Sequence, residues 1–409
     1  MSSWIGIGIM SGSSLDGLDL CCAEFTGDYS TDIWSHRILK TTTIQYDPDW
    51  LERLRTADEM SGRDMAKLHV DYGRYLGRMV EAFIAENQLT PKYIASHGHT
   101  VFHQPENGFT FQLGDGETMT ASLCVPLVTN FRNKDVALGG QGAPLVPVGE
   151  SYLFSQYDMC LNLGGIANVS VNDIGFDISP CNMLLNYLAS RHDHSLEFDK
   201  GGAIARRGRV VDELLHRLND LPFYRQSPPK SLGKEWFERY IVPLLKSEES
   251  STDLMRTAVE HITDQILNVI TQQLACAKTG ATKRSLLITG GGALNDFLME
   301  RLRAKIEEAS IDVTITESDE ETIQFKEALI FAFLGLRCLL GLPNISRTVT
   351  GASTDSVSGS IHLPPVNCPL AGNACQDYRF HFRAAKIPGY VPPLRRHAAG
   401  TRSREFYEK

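Results

Sequence analysis

One pattern occurs twice in this chain and limits its fold more than any other feature: a strand, a short turn of small residues, and a second strand. Residues 5–10 alternate as a strand does, and an apolar stretch at 18–21 follows the turn Ser11-Gly12-Ser13-Ser14. Residues 159–163 and 166–171 repeat the plan around Gly164-Gly165. Strands joined by small residues predict β-hairpins. Two hairpins of one design, each opening a mixed helix and strand segment, predict two α/β lobes.

Helices and single strands account for most of both segments. Apolar residues recur at three- and four-residue steps over 65–83 and again after the cap candidate Asp253, which predicts two long amphipathic helices. The nearly continuous apolar run 326–340 predicts a helix that is buried on several sides. Further short strands are expected at residues 92–96 and 285–289.

The division between the lobes is expected at Gly139-Gly140-Gln141-Gly142, because a glycine-rich stretch suits a hinge. We therefore predict an N-terminal lobe over 1–140 and a C-terminal lobe over 141–362. Residues 371–409 hold eight Lys and Arg against three Asp and Glu, without a helical or strand period. We expect 363–409 to be a basic, proline-containing, disordered tail.

The composition excludes several classes of protein. Apolar residues make up 42% and charged residues 22% of the 409 residues, as in ordinary globular proteins. A net charge of −9 argues against a nucleic-acid partner. The sequence contains no apolar run long enough to span a membrane, so we expect no membrane segment. Nine cysteines without a C-x-x-C pair predict reduced thiols. Since the first residues also lack the features of a signal peptide, we expect a cytoplasmic protein.

Three glycine-rich turns follow predicted strands, at residues 11–14, 164–165 and 290–292. Backbone N–H groups can converge on a phosphate only where no side chain intervenes, so such turns suit a nucleotide. Two hairpins followed by a strand, three glycines and a helix resemble the order found in the actin, sugar-kinase and heat-shock ATPase superfamily. The resemblance implies an α/β, two-lobed, actin-like ATPase (ribonuclease H-like) fold with an active-site cleft between the lobes.

A narrower resemblance runs from about residue 4 to about residue 362. Its longest motif is Asn130-Phe131-Arg132-Asn133-Lys134-Asp135-Val136-Ala137-Leu138-Gly139-Gly140-Gln141-Gly142-Ala143-Pro144-Leu145. Other motifs in register are Gly8-Ile9-Met10-Ser11-Gly12-Ser13-Ser14-Leu15-Asp16-Gly17-Leu18-Asp19, His97-Gly98-His99-Thr100, Asn162-Leu163-Gly164-Gly165, Pro228-Pro229-Lys230-Ser231, Gly290-Gly291-Gly292 and Glu327-Ala328. Together these motifs resemble the anhydro-N-acetylmuramic acid kinases.

The resemblance implies an enzyme of peptidoglycan recycling that uses ATP and Mg²⁺. Water would open the 1,6-anhydro ring of 1,6-anhydro-N-acetylmuramic acid while ATP phosphorylates O6, giving N-acetylmuramic acid 6-phosphate. The implied nucleotide-binding residues are Gly12, Ser13, Ser14, Leu15, Asp16, Gly17, Leu18, Asp19, Asn162, Gly164, Gly165, Gly290, Gly291 and Gly292. Asp16 and Asp19 flank the first turn, and one of them, with Asp16 as the first candidate, is expected to hold Mg²⁺ directly or through water. Asp16 could equally cap the turn. A homodimer stays open.

Asp135 is the residue that the resemblance identifies as the general base. Ring opening needs a base that takes a proton from water as the water attacks the anomeric carbon. A carboxylate beside Arg132 and Lys134 at the lobe junction can do this, and the two cations could neutralise phosphoryl or substrate carboxylate charge. The alternative is a surface salt bridge between Asp135 and one of these cations.

The sugar pocket is expected to contain His97, His99, Thr100, Arg132 and Gln141. By resemblance, the imidazoles donate hydrogen bonds to sugar oxygens. The spacing of His97, His99 and His103 could suggest zinc, but no acidic or cysteine ligand stands beside them.

The chain departs from the family pattern at residues 176–182, where two customary glycines are replaced and backbone donation to phosphate is expected to change. Asp177 and Asn182 are retained in this segment, whereas His99 stands where Gln is common and Leu232 where Thr is usual. Two other functions stay open: a kinase for another 1,6-anhydrosugar, and a non-catalytic nucleotide-binding protein of the same fold.

Overall fold

The structure, a computed structural model, describes residues 2–12, 15, 17–28, 31–171, 174–228, 230–245, 249–275 and 284–365. Its strands β1–β12 are, in order, Ser2–Ser11, Leu18–Asp28, Ile33–Ile44, Tyr93–Gln104, Phe109–Leu113, Leu127–Thr129, Met159–Leu163, Ile166–Val171, Ile174–Pro180, Arg284–Thr289, Val313–Glu317 and Ser360–His362. Its α-helices α1–α12 are Pro48–Arg55, Gly62–Glu86, Gly116–Thr120, Asn133–Ala137, Val146–Leu153, Asn182–His192, Asp212–Asn219, Lys234–Trp236, Ser251–Ala275, Asp296–Glu308, Glu320–Leu339 and Arg347–Thr350. The predicted tail beyond residue 365 lies outside the described residues.

Two sheets share one strand order. The first runs β12-β6-β4-β1-β2-β3, with β5 also paired to β4, and the second runs β11-β10-β7-β8-β9. In each sheet three consecutive strands form an antiparallel meander, and two later strands add in parallel beside the first strand of that meander. A repeated 3-2-1-4-5 order is that of the ribonuclease H-like fold. The predicted two-lobed, actin-like α/β architecture is confirmed.

Both predicted hairpins are present. Ser11 pairs with Leu18 at the end of the β1–β2 hairpin, and Leu163 pairs with Ala167 at the end of the β7–β8 hairpin. Because β7 is buried along its whole length, its side chains contact protein on both faces of the second sheet. The two turns that the sequence singled out therefore lie at the carboxyl ends of central strands.

Three hydrophobic clusters hold the layers together. One lies between the first sheet and the buried face of α2, and a second lies between the second sheet and α6, α9 and α10. The third surrounds α11 and includes Tyr93 and Val128 of the first sheet together with Cys160 and Leu287 of the second. From Phe325 to Leu339, α11 is buried at all but one position, as the apolar run predicted. This helix consequently joins the two sheets.

Several element bounds differ from the sequence prediction. Helix α9 begins at Ser251, so Asp253 lies in its first turn instead of capping it, and its carboxylate accepts a hydrogen bond from the Arg209 backbone N–H at 2.6 Å. Strand β4 continues past residue 96 to Gln104, so both His97 and His99 belong to the strand. Strand β12 joins the first sheet beside β6, although it lies more than 200 positions later in the chain. The division at residue 140 stays a prediction.

Five cysteines, Cys21, Cys22, Cys160, Cys181 and Cys338, are buried free thiols. Burial raises the pKa of the Cys160 and Cys181 thiols to about 12, so both are uncharged near neutral pH. Cys124 is disulfide-bonded. The prediction of reduced thiols therefore holds for the five buried residues and is wrong for Cys124.

At Gly8 the backbone of the first sheet closely approaches the backbone of α11, which gives a direct test of this packing. A Cβ atom at Gly8 would lie 1.8 Å from the Ala328 carbonyl oxygen and 2.8 Å from the Ala332 backbone nitrogen. We expect Gly8→Ala to lower the free energy of unfolding, measured by urea titration, by about 1–3 kcal/mol or more, because helix and sheet must separate. Gly62→Ala, where a Cβ has nothing within 4 Å, is the control and should change it by less than about 1 kcal/mol.

Candidate active site

The turn between β1 and β2 is described in part. Leu15 has a φ of +59° and its N–H donates to the Gly12 carbonyl at 3.3 Å, while Gly17 has a φ of +145°. Leu18 begins β2, and the Asp19 carboxylate accepts a hydrogen bond from the Thr43 hydroxyl at 2.5 Å. The predictions for Ser13, Ser14 and Asp16, including the Mg²⁺ ligand, lie outside the described residues.

The second and third glycine turns lie side by side, because β7 and β10 are adjacent parallel strands with Asn162 opposite Thr289. Gly290 has a φ of +83°, and a Cβ there would lie 2.6 Å from Asn162 Oδ1 and 2.8 Å from the Leu163 backbone. A Cβ at Gly165, in contrast, would have nothing within 4 Å. The third turn therefore packs tightly against the second at Gly290. The backbone of Gly165 in the second turn faces open space, as a phosphate-binding turn requires.

The altered segment at residues 176–182 clamps the second turn. The backbone N–H groups of Cys181 and Met183 donate to the Gly165 carbonyl at 2.9 and 3.0 Å, and that of Asn182 donates to the Gly164 carbonyl at 3.1 Å. The Asn182 side chain donates to the Leu163 carbonyl at 3.0 Å. These three N–H groups are therefore used inside the protein, where they hold the shape of the turn.

Asp177 anchors the segment that contains the Pro-Pro-Lys-Ser motif. Its carboxylate accepts a hydrogen bond from the Leu232 N–H at 2.8 Å. Burial raises the pKa of Asp177 to about 6, and the Leu232 hydrogen bond and the nearby Lys230 oppose that rise. Burial likewise lowers the pKa of Lys230, which Asp177 opposes. Asp177 thus holds this loop against β9 instead of pointing into open space.

On β4, His97 is a neutral acceptor for Arg132. Its Nδ1 lies 2.8 Å from the Gly98 carbonyl, which can only accept, so Nδ1 carries the proton. Its Nε2 accepts from Arg132 Nε at 3.0 Å and from Nη2 at 2.9 Å. Burial, reinforced by the Arg132 charge, holds the pKa of His97 well below its usual range. His97 was predicted to bind sugar; here both of its ring nitrogens are engaged within the protein.

Arg132 connects His97 to the glycine segment. Its Nη1 donates to the Gly142 carbonyl at 2.6 Å. Burial lowers the pKa of Arg132 to about 10, while the charges of Glu327 and Asp135 oppose the fall. The guanidinium therefore keeps its positive charge at neutral pH beside two carboxylates.

Asp135 is fully buried on α4, with 0% of its surface exposed. One carboxylate oxygen, Oδ2, accepts from the Gly142 N–H at 2.7 Å, and the other, Oδ1, accepts from the Thr350 hydroxyl at 2.7 Å. Lys134 instead donates to the Val357 carbonyl. The carboxylate is thus oriented by two neutral donors, and its burial does not fit the alternative of a surface salt bridge.

His99 joins β4 to the first hairpin. Its Nδ1 lies 3.1 Å from the Ser11 hydroxyl, which in turn lies 2.8 Å from the Tyr46 hydroxyl. Burial lowers the pKa of His99 to about 4, so the ring is neutral near pH 7. The structure therefore places the histidine that departs from the family pattern in contact with the strand that leads into the first glycine turn.

The remaining predicted sugar contacts lie at the edges of this network. Thr100 is half-buried and accepts a hydrogen bond from the Gln112 amide at 3.4 Å. Gln141 is exposed and its backbone N–H donates to the Thr350 carbonyl at 2.8 Å. The buried Gln112 Oε1 has no hydrogen-bond partner, and sequence reasoning missed it together with Thr350. No local signal marks Thr350, since its contact with Asp135 joins residues 215 positions apart in the chain. Gln112 is not marked either, since its place beside Thr100 depends on the pairing of β5 with β4.

Sequence comparison identifies the family to which these residues belong. The family model described as Anhydro-N-acetylmuramic acid kinase matches residues 5–364. The chain belongs to the anhydro-N-acetylmuramic acid kinase family. Proteins named anhydro-N-acetylmuramic acid kinase from Photobacterium profundum and Aliivibrio fischeri are each 35% identical to it, over 378 and 383 residues respectively. Each alignment covers 87% of this chain and 98% of the relative.

Solved structures resemble this family member more distantly. A ROK family glucokinase from Streptomyces griseus, in complex with glucose and AMPPNP, has a TM-score of 0.37 at 10% identity and covers 81% of this chain and 99% of its own. Component A of (R)-2-hydroxyglutaryl-CoA dehydratase from Acidaminococcus fermentans has a TM-score of 0.38 at 11% identity, with 82% and 98% covered.

The described residues of this anhydro-N-acetylmuramic acid kinase family member contain no group of three or more His, Cys, Asp and Glu side chains arranged to hold a metal ion. A nucleotide-bound Mg²⁺ needs less, since one or two carboxylates usually suffice beside the phosphates. None of the helices in this part of the chain combines the length and apolar character of a bilayer span.

Proposed function

We propose that this chain phosphorylates O6 of 1,6-anhydro-N-acetylmuramic acid with ATP while water opens the anhydro ring. The oxygen of water forms a bond to C1, the bond from C1 to O6 breaks, and O6 takes the γ-phosphoryl group. The products are N-acetylmuramic acid 6-phosphate and ADP. The role is peptidoglycan recycling, and the cytoplasm, where ATP is available, is the proposed location.

The observation that carries this proposal is the run of contacts from the first hairpin to Asp135. Ser11 contacts His99 on β4. On the same strand, His97 accepts a hydrogen bond from Arg132. Arg132 also donates to the Gly142 carbonyl, and the Gly142 N–H donates to Asp135. A candidate phosphate turn, a cation and a candidate base are thus connected through β4 and a run of hydrogen bonds. This combination suits phosphoryl transfer coupled to activation of water.

Asp135 is proposed to take the proton from the attacking water. Both of its oxygens already accept hydrogen bonds, and the side chain is fully buried. Water therefore reaches the carboxylate only when the segment around Gly142 shifts. Gly139 and Gly142 have φ values of +82° and +65°, a conformation that glycine adopts readily, so we propose residues 139–142 as the hinge.

The nucleotide is proposed to lie along the three glycine turns, with its phosphates beside Gly165 and the first turn. The sugar is proposed to contact Thr100, Gln141 and the buried acceptor of Gln112, with Arg132 supplying positive charge. Mg²⁺ bound with ATP would neutralise phosphate charge, held by Asp16 or Asp19. A homodimer stays a prediction.

The test is sugar-dependent turnover by the purified protein. With ATP, Mg²⁺ and 1,6-anhydro-N-acetylmuramic acid, we expect ADP and a sugar 6-phosphate in equal amounts, measured by phosphorus NMR and mass spectrometry. The control substrate is 1,6-anhydroglucose, which lacks the lactyl and acetamido groups and should react far more slowly. A faster reaction with the control would favour the other-anhydrosugar alternative. Nucleotide binding without a phosphorylated sugar would contradict the kinase proposal.

A further inference from the structure

The Asp135 carboxylate accepts one hydrogen bond from Gly142 and one from Thr350, which lies much later in the chain. Its hydroxyl donates to Asp135 Oδ1 at 2.7 Å, and both side chains are fully buried. We propose that Thr350 is a positioning residue that fixes the orientation of the Asp135 carboxylate for proton transfer. This inference rests on the proposed role of Asp135 as the base and adds a second residue to that role.

The hydroxyl hydrogen of Thr350 is directed at Asp135 by its surroundings. The Ala352 N–H lies 3.4 Å from the Thr350 hydroxyl oxygen and donates to it. Two acceptors then compete for the hydroxyl hydrogen: Asp135 Oδ1 at 2.7 Å and the Ser346 carbonyl at 3.3 Å. A closer carboxylate makes the stronger, charge-assisted hydrogen bond, so Asp135 receives the hydrogen.

Helix α12 and the segment that carries Asp135 are joined by backbone as well. The Gln141 N–H donates to the Thr350 carbonyl at 2.8 Å, and the Ser353 N–H donates to the Leu138 carbonyl at 3.0 Å. Thr350 is β-branched, which restricts its side-chain rotation. The hydroxyl is therefore held in a fixed position relative to the carboxylate, as positioning requires.

The two hydrogen bonds to the Asp135 carboxylate respond differently to movement of the proposed hinge. The Gly142 N–H belongs to the proposed hinge, so movement of that segment releases Oδ2 toward water. The Thr350 hydroxyl holds Oδ1 meanwhile and prevents rotation of the carboxylate about its own axis. Arg132 and Glu327 are the charged groups coupled to this site, and both remain in the variants below.

The experiment compares Thr350→Val, which keeps the shape but removes the donor, with Thr350→Ser, which keeps the donor. We expect Thr350→Val to lower kcat by about 10- to 100-fold with little change in KM for ATP or sugar, because a misplaced catalytic group costs rate rather than binding. Thr350→Ser should stay near the parent protein. Thr348→Val is the matched control on α12, since the Thr348 hydroxyl pairs with Ser346.

Combining Thr350→Val with Asp135→Asn separates positioning from a merely structural role. If Thr350 acts through Asp135, the valine substitution should add almost nothing to the loss caused by Asp135→Asn. A further 10-fold loss in the double variant, or an equal loss in Thr350→Ser, would overturn the inference. Thr350→Ala replaces valine if the added methyl group against the buried carboxylate prevents folding, as judged by circular dichroism. Activity of the parent protein decides the proposed function separately, so failure of one does not conceal failure of the other.

Discussion

Replacing Asp135 with Asn is expected to lower turnover by about 10²–10⁴-fold, the usual contribution of a positioned general base. The amide keeps the size of the carboxylate but cannot accept a proton from water. Affinity for ATP, measured by calorimetry, should change little, because Gly164, Gly165 and Gly290 lie in turns next to strands of the second sheet, whereas Asp135 lies on α4. The variant should therefore bind both substrates and turn over very slowly.

The surroundings of Asp135 can accommodate asparagine without loss of the fold. The amide oxygen can accept from the Gly142 N–H, as Oδ2 does now. The amide nitrogen can then donate to the Thr350 hydroxyl, since a hydroxyl accepts as well as donates. The Thr350 hydrogen is left with the Ser346 carbonyl at 3.3 Å. A large fall in turnover would consequently report lost basicity and not unfolding.

The control for Asp135→Asn is Asp49→Asn on α1, where the side chain is 79% exposed and its partner Arg53 lies 3.7 Å away. That substitution should leave turnover unchanged. If Asp135→Asn retained turnover within about threefold of the parent, the base would have to be another carboxylate, with Asp177 and Glu327 as the next candidates. The burial of Asp135 would then be structural, joining α12 to the glycine segment.

Replacing Lys326 with Met is expected to lower the free energy of unfolding by about 3–5 kcal/mol, because it leaves a buried carboxylate without its cation. Lys326 on α11 and Glu150 on α5 lie 2.5 Å apart, and their side chains are 2% and 4% exposed. The Ser170 hydroxyl of β8 also donates to Glu150. Since α11 packs against both sheets, urea titration should show a loss of stability for the molecule as a whole.

Two further variants check this reading of the Lys326 pair. Lys67→Met removes a lysine that is 74% exposed and 2.8 Å from Asp71, and it should change the free energy of unfolding by only about 0–1 kcal/mol. Lys326→Met combined with Glu150→Gln removes both buried charges and keeps an acceptor for Ser170. The double variant should recover more than half of the loss. A double variant no more stable than Lys326→Met would mean that lysine packing, and not charge, accounts for the effect.

Much of the secondary structure could be predicted from local sequence. Alternation over residues 5–10 identified β1, and the small-residue turns identified both hairpins, including β7 at residues 159–163. The apolar periods identified α2 and α9. Strand β12 could not be found in this way, because it has only three residues and its pairing partner, β6, is distant in sequence. An edge strand of this length has no period of its own.

The candidate site likewise has some features that local sequence predicts and others that it does not. Local sequence predicts the two hairpins, the glycine turns and the Asp135 motif, because backbone sterics and apolar periodicity act between residues close in the chain. The contact of His97 with Arg132, the pairing of Glu150 with Lys326, and the hydrogen bond from Thr350 to Asp135 across 215 positions follow from the packing of the folded chain. Such pairings depend on which helices and strands pack together. Burial then requires each polar group to find a partner among whatever that packing brings near.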